Sequence, residues 1–341
     1  MTAADYPAAQ SAPPVPASDT STIAMELLRR VPDALLEHAR SYLAGERKAA
    51  VARGSSTVML LRSATRSEFR VPARSGSESA GSELEVYMLR RHGRMAFAAG
   101  MYAFPGGAVD ERDCDRSIAW AGHSAAEWAR RLRCDESQAR VLVCAAVRET
   151  FEESGVLLAG AADGVIVDDT TGDDWERDRA ALVDRSLAFS DFLLQRGLVL
   201  RADLLQAWAH WITPEFEPRR YDTRFFVAVM PEGQRPRDVS GEADRVMWVR
   251  PADAVTAADE GEMAMLLPTY VSLSELARYA EPLDVLAAAA ERDISTIMPR
   301  VELVEGVPMF VETEGCGFFS VSPSERARSR PELSDTSPQA G

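Results

Sequence analysis

The chain has 341 residues, 46% apolar and 27% charged, an ordinary globular composition that excludes a wholly disordered protein. Its 38 basic and 53 acidic residues leave a net charge of −15, which argues against an extended nucleic-acid surface or a polybasic membrane contact. No run approaches the roughly 18 consecutive apolar residues of a membrane span, and the length exceeds what one core usually holds, so a main domain with appendages is expected.

Residues 1–22 are rich in Ala, Pro and Ser and are expected to be a disordered tail, as are residues 323–341. The first residues lack the basic and apolar regions of a secretory signal, and Gln339-Ala340-Gly341 is not a peroxisomal address of the Ser-Lys-Leu type. Cys114, Cys134, Cys144 and Cys316 form no C-x-x-C pair, so free thiols in a reducing, cytoplasmic setting are expected rather than zinc or a disulfide framework.

Within an N-terminal helical segment over 23–54, Pro32 opens a helix through Leu35, Leu36 and His38 towards Tyr42 and Leu43. Runs 55–61 and 84–89 read as strands, and the small, polar stretch 71–82 between them as a long mobile loop. A short strand over 101–104 leads into Pro105-Gly106-Gly107, read as a turn. Ser124 to Glu127 and Asp135 to Gln138 are capping boxes, and the second helix is expected to run to about Ser154 and stop at Gly155.

Residues 156–158 and 165–167 have strand character, and 175–195 reads as one helix. Runs 224–230 and 245–250 are strands, and Pro251 starts a short helix. Beyond about residue 258 the pattern turns helical: Ser272 to Glu275 caps one helix, Pro282 opens an Ala-rich one, and Glu305-Gly306 marks a hairpin. The expectation is an α+β fold, with helices flanking a mixed sheet over 55–257 and a mostly helical C-terminal extension over 258–322.

The chemistry concentrates in Arg148-Glu149-Thr150-Phe151-Glu152-Glu153-Ser154-Gly155-Val156. On a helix, Glu149, Glu152 and Glu153 share one face, where their charges repel. They also sit at the helix's C-terminal end, where the macrodipole disfavours negative charge, so something else must compensate them. A hard divalent cation would do so, and Arg148 can hold a carboxylate by a bidentate contact. A second candidate is Phe104-Pro105-Gly106-Gly107, where the glycines leave backbone carbonyls and amides open to a ligand or a metal.

Together these segments resemble the Nudix hydrolase motif, a glycine and then a glutamate ahead of R-E-U-x-E-E-x-G-U, with U apolar. Gly107 matches the glycine, and Arg148, Glu149, Glu152, Glu153, Gly155 and Val156 match in register, with Thr150 at an apolar position. Asp113 stands where the first glutamate belongs, and Gly107 and Arg148 enclose 40 residues, so an insertion over about 114–139 splits the motif. A split of this kind resembles the peroxisomal-type CoA diphosphatase branch. The likeness extends through Leu89, Arg91, Phe97 and Gly100, then Trp211 to Glu215, Arg220 to Phe226, Glu242, Trp248 and Leu267 to Thr269.

The resemblance implies a mixed sheet sandwiched between helices and hydrolysis of a nucleoside diphosphate linked to another moiety. It implies Mg²⁺ or Mn²⁺ held by Glu149, Glu152, Glu153 and the Gly107 carbonyl, with Arg148 orienting the carboxylates. The base is expected to be Glu149 or Glu152, with Glu242 a second candidate. Arg90, Arg91 and Arg94 are candidates for a substrate phosphate, with Phe104 and Gly106 beside them and Trp211, Tyr221 and Phe225 available to stack on adenine. His38, His92, His123 and His210 show no ligand spacing and receive no role.

A nucleotide substrate is expected, with no nucleic-acid or membrane partner and a homodimer left open. CoA or acyl-CoA leads as substrate; ADP-ribose, NADH and dinucleoside polyphosphates stay as alternatives, as does a ligand sensor that has lost catalysis. The Ser124 helix, inserted beside the acidic helix, is a candidate lid.

Overall fold

The computed structural model describes residues 31, 33–64, 84–95, 98–115, 117–238, 241 and 243–311. Both expected tails, most of the 71–82 loop's surroundings and the loop itself, Phe97, Glu242 and Cys316 lie outside the described residues.

In chain order the elements begin with α1 (Leu36–Leu43), β1 (Arg53–Ser63), β2 (Leu84–Arg91), β3 (Tyr102–Ala103) and β4 (Gly106–Ala108). A 3₁₀ turn, Glu111–Cys114, and β5 (Trp120–Ala121) lead to α2 (Ala125–Leu132), α3 (Glu136–Ser154) and β6 (Ala159–Ala161). Next come α4 (Asp173–Val183), α5 (Phe189–Gln195), β7 (Leu198–Arg201), β8 (Gln206–Ile212), β9 (Tyr221–Val229) and β10 (Ala243–Val249). The described chain closes with α6 (Pro251–Asp259), α7 (Leu267–Leu276), α8 (Pro282–Glu291), β11 (Thr296–Ile297) and the hairpin β12 (Arg300–Val304) and β13 (Val307–Val311).

The main sheet has the order β10-β2-β1-β9-β8-β11, with β3 added to β2 and β4 to β1. It is mixed: β1 runs parallel to β9 and β8 parallel to β11, while the other pairs are antiparallel. β1 is buried on both faces, as a central strand should be. Its Val58 and Leu60 face a core shared with α2, α3 and α5, and its Met59 and Leu61 face a second core with α7 and α8. The sheet is therefore sandwiched between helices, and the C-terminal segment supplies one of the two helical layers.

Helix ends follow local chemistry. Ser124 and Glu127 form the full capping box of α2, whereas Asp135 caps α3 through the Gln138 N–H alone. Gly155 ends α3 with φ 74, a left-handed conformation that a glycine adopts freely. At the β12–β13 turn, Glu305 and Gly306 both have positive φ, the twist-matched form of a two-residue hairpin loop.

Several expectations are corrected. Gly106 and Gly107 are strand residues rather than a turn, because β4 pairs with the start of β1. The stretch 156–158 is buried but forms no strand, its Leu157 backbone being bonded to the Gln234 side chain; the strand is β6, bridged to Ile166 through Gly160. The 175–195 helix is two helices, broken where Arg185 adopts φ 66. Ser272 lies inside α7, which starts at Leu267 with Pro268 in its first turn, so it caps nothing. The α2 insertion packs into the core, Trp128 fully buried edge-on to Phe226, and contributes no residue to the cleft described below, so it is no lid.

Candidate active site

Strand β4 brings the backbone against the C-terminal end of α3. It pairs Ser56 with Gly107 and Thr57 with Gly106. A Cβ on Gly106 would stand 2.4 Å from the Ser56 carbonyl oxygen, and one on Gly107 2.5 Å from the Glu149 carboxyl. Both positions need glycine for space: the first for strand contact, the second for a carboxylate resting on the backbone.

Arg148 organises the acidic face of α3. Its Nε and Nη2 donate to the two oxygens of Asp113 at 2.8 and 2.9 Å, a bidentate pair. Its Nη1 donates to Glu149 at 2.8 Å and to Glu152 at 3.1 Å, and Nη2 also reaches the Ala108 carbonyl at 3.1 Å. Glu153 instead accepts the Gly106 N–H at 2.8 Å. Asp113 is held from behind, accepting the Asp110 N–H at 2.8 Å inside the 3₁₀ turn's capping box, with the Cys144 thiol 3.6 Å away. The shorter acid at this position thus performs a charge-pairing task, made possible by the turn that carries it up to Arg148.

Burial sets the electrostatics. It works to discharge the Arg148 guanidinium, but the Asp113 hydrogen bonds and the adjacent carboxylates outweigh it and hold the group charged. Burial pushes the Glu149 carboxyl up to about 7; Arg148 opposes this and Glu152 adds to it. Glu152 is raised for the same first reason, again opposed by Arg148. One guanidinium therefore serves three carboxylates, leaving negative charge that a divalent ion would relieve, and the hard oxygen donors suit Mg²⁺ or Mn²⁺. Among the described residues no three His, Cys, Asp or Glu groups converge as a metal site, because Arg148 draws Glu149 and Glu152 and Gly106 draws Glu153.

The acidic face opens into a cleft of about 950 Å³, large enough for a dinucleotide-sized ligand. The cleft passes over β4 onto the open face of β1 and β9 and is bounded by α7's start and the two terminal segments. Arg148, Glu149, Glu152, Glu153, Gly106, Gly107, Phe104 and Arg91 line it. Arg90 does not: it pairs with Asp244 at 2.6 Å on the neighbouring strand β10. Arg94 is exposed and outside the lining. Trp211, Tyr221 and Phe225 all line the cleft, although Trp211 and Phe225 are mostly core.

Four cleft or framework groups had no sequence signal strong enough to single them out. Arg112 clamps Asp110 and donates to the Arg185 and Leu187 carbonyls, tying the α4–α5 break to the site. Arg185 stands at the rim, 3.8 Å from Asp110. Glu217 lines the cleft from the connection between β8 and β9. His210, assigned no role, joins Asp222, Arg224 and Thr296 in a network that links β8, β9 and β11, with His210 and Arg224 buried. Only the Asp110-x-x-Asp113 spacing, itself a capping pattern, was available to find any of the turn.

Residues 136–276 match the family model described as the NUDT19 Nudix domain. The crystal structure of a NUDIX hydrolase from Alicyclobacillus acidocaldarius superposes with a TM-score of 0.55 at 26% identity, covering 71% of this chain and 96% of that one. In fold and over residues 136–276 in sequence, the chain is similar to the Nudix hydrolases. It is also distantly similar to proteins named acyl-coenzyme A diphosphatase NUDT19. The identity is 24% to that of Gallus gallus, over 64% of this chain and 68% of the relative, and 23% to that of Xenopus laevis, over 58% and 61%. It spans between 56% and 68% of the length of the curated relatives it matches.

Proposed function

We propose that this protein is a divalent-metal-dependent Nudix diphosphatase that cleaves CoA or acyl-CoA to 3′,5′-ADP and 4′-phosphopantetheine or its acyl form. One observation carries the reading: Arg148 holds Asp113, Glu149 and Glu152 together, Glu153 rests beside them on the Gly106 N–H, and the three glutamates line a cleft that can hold a nucleotide conjugate. The names of the distant relatives support the choice of substrate. The reduced cysteines among the described residues fit a cytoplasmic setting.

Glu149, Glu152 and Glu153, with the Gly107 carbonyl, would hold the metal. Bound there, a divalent ion neutralises the diphosphate and lowers the pKa of a water. Arg148, locked by Asp113, holds Glu149 and Glu152 in place. Glu149 or Glu152 would take the proton from the attacking water. Arg185, exposed at the rim, is placed to meet a phosphate oxygen.

The test is mass spectrometry of products from CoA with and without Mn²⁺ or Mg²⁺. Metal-dependent 3′,5′-ADP is expected, and Glu152→Gln should reduce turnover by at least about 100-fold in a folded protein. Intact CoA alongside cleaved ADP-ribose, NADH or a dinucleoside polyphosphate would move the assignment to that substrate. No cleavage across the panel would leave a ligand sensor.

A further inference from the structure

Glu217 is a carboxylate that the proposed chemistry does not use. It lies in the connection between β8 and β9, half-buried, and lines the cleft at a distance along the chain from every member of the acidic cluster. Among the described residues its carboxyl makes no hydrogen bond or ion pair; only its backbone N–H is engaged, with the Pro214 carbonyl at 3.2 Å. Burial raises its pKa to about 7, and no neighbouring charge contributes to the shift. A carboxyl kept out of water without a partner destabilises the fold, so its retention in a cleft is a mark of ligand recognition.

Its position is fixed by its neighbours. Phe216 is buried in a small core with Val31, Ala39 and Val301. Tyr42 donates to Glu215, and Arg220 is held by the Thr213 and Ala50 carbonyls at 3.0 and 2.6 Å. The loop is therefore anchored on both sides of Glu217, which leaves the side chain preorganised for something outside the protein.

The surrounding wall shows what that is. Trp211 and Tyr221, on the two strands that flank the Glu217 connection, also line the cleft; Tyr221 is part-exposed and Trp211 almost fully buried. Met95, Met101, Met265 and Leu267 also line the cleft, and their apolar side chains suit an extended aliphatic arm. A purine needs flat faces and a matched polar edge, and adenine presents an exocyclic N–H where hypoxanthine presents a carbonyl oxygen. Resting on the nucleotide reading above, we propose that Glu217 reads the base: its carboxyl oxygen accepts a hydrogen bond from the exocyclic amine of adenine, making the enzyme selective for adenine over 6-oxopurines.

The experiment is calorimetric binding at pH 8, where the Glu217 carboxyl is ionised and can only accept, of adenosine 3′,5′-bisphosphate and its inosine counterpart, without metal, to the wild-type chain, Glu217→Ala and Glu217→Gln. Wild type should prefer the adenosine ligand by roughly ten-fold or more, as expected when a site's acceptor faces a mismatched oxygen. Glu217→Ala should erase the preference by weakening the adenosine ligand. Glu217→Gln should narrow it, because an amide can turn either its oxygen or its nitrogen to the base. Circular dichroism checks each fold, and should the alanine variant not fold, the glutamine variant carries the test. Equal affinity in wild type, a preference that survives both substitutions, or no binding of either ligand would overturn the proposal. Because the readout is binding, its failure is separate from that of the diphosphatase reading, which falls only if CoA survives incubation with metal.

Discussion

At the scale of single residues, the site is a matter of one charge and its partners. Asp113 has no solvent contact in its side chain and pairs bidentately with Arg148. Removing one member of a buried pair leaves an uncompensated charge, so Asp113→Ala should destabilise the protein by about 3–5 kcal/mol in chemical denaturation. A loss under about 1 kcal/mol would show that Arg148 finds its charge balance elsewhere. Glu217 gives the opposite sign. Its folded pKa, about 7, lies above the ordinary glutamate value, so the folded state holds its proton longer than the unfolded chain does. Stability from this group is present at low pH and is lost as pH rises from the usual carboxylate range through about 7. Glu217→Gln should therefore melt close to wild type at pH 5 and a few degrees above it at pH 8; other titrating groups are common to both proteins and cancel. An equal difference at the two pH values would sink the assignment.

At the scale of elements, legibility followed locality. Helix α3 was readable from its cap, its stop and its three glutamates because each signal lies within a few residues of the helix it governs. The acidic cluster was readable for the same reason: i, i+3, i+4 spacing fixes one face whatever surrounds it. Strand β4 was not, since Pro105-Gly106-Gly107 has turn chemistry locally and becomes a strand only by pairing with β1, some fifty residues back. Arg90 and Arg91 are adjacent in sequence, and only the sheet decides that one meets Asp244 and the other the cleft. Glu217 carries no local pattern at all. The insertion shows a local element correctly read and its role left open, because α2's capping box says nothing of where the helix packs. Ser124→Ala should remove that cap and lower stability by about 0.5–2 kcal/mol. Since α2 has no residue in the cleft, kcat and KM for the substrate should stay within about two-fold, a change of under half a kcal/mol. A large fall in kcat in a folded Ser124→Ala protein would restore the lid.

At the scale of the whole molecule, the cleft is closed by segments from both ends of the described chain. Leu35 precedes α1 and Phe310 lies on β13, and both line the cleft. They are held together over the β8–β9 connection, where the Phe216 and Phe310 rings stand 6.0 Å apart and Phe216 packs with Val31 and Val301. This small core is separate from the two that grip the sheet, and it is built from elements far apart in sequence, so it pays the loop-closure entropy of the whole fold for a few aromatic contacts. Such a region opens before the rest. Its contribution should therefore appear in ligand binding more than in chemistry, because the Arg148 cluster is anchored by α3, β4 and the 3₁₀ turn and does not depend on it. Phe310→Ala should raise KM several-fold with kcat nearly unchanged and lower the melting temperature modestly, since the ring is only partly buried. Ending the chain after residue 299, which removes the β12–β13 hairpin, should repeat the KM effect in a larger form. Steady-state kinetics on both proteins decides the matter: a fall in kcat at constant KM would mean that the terminal clasp positions the acidic cluster, and the cleft would then have to be regarded as one cooperative unit from its glutamates to its far wall.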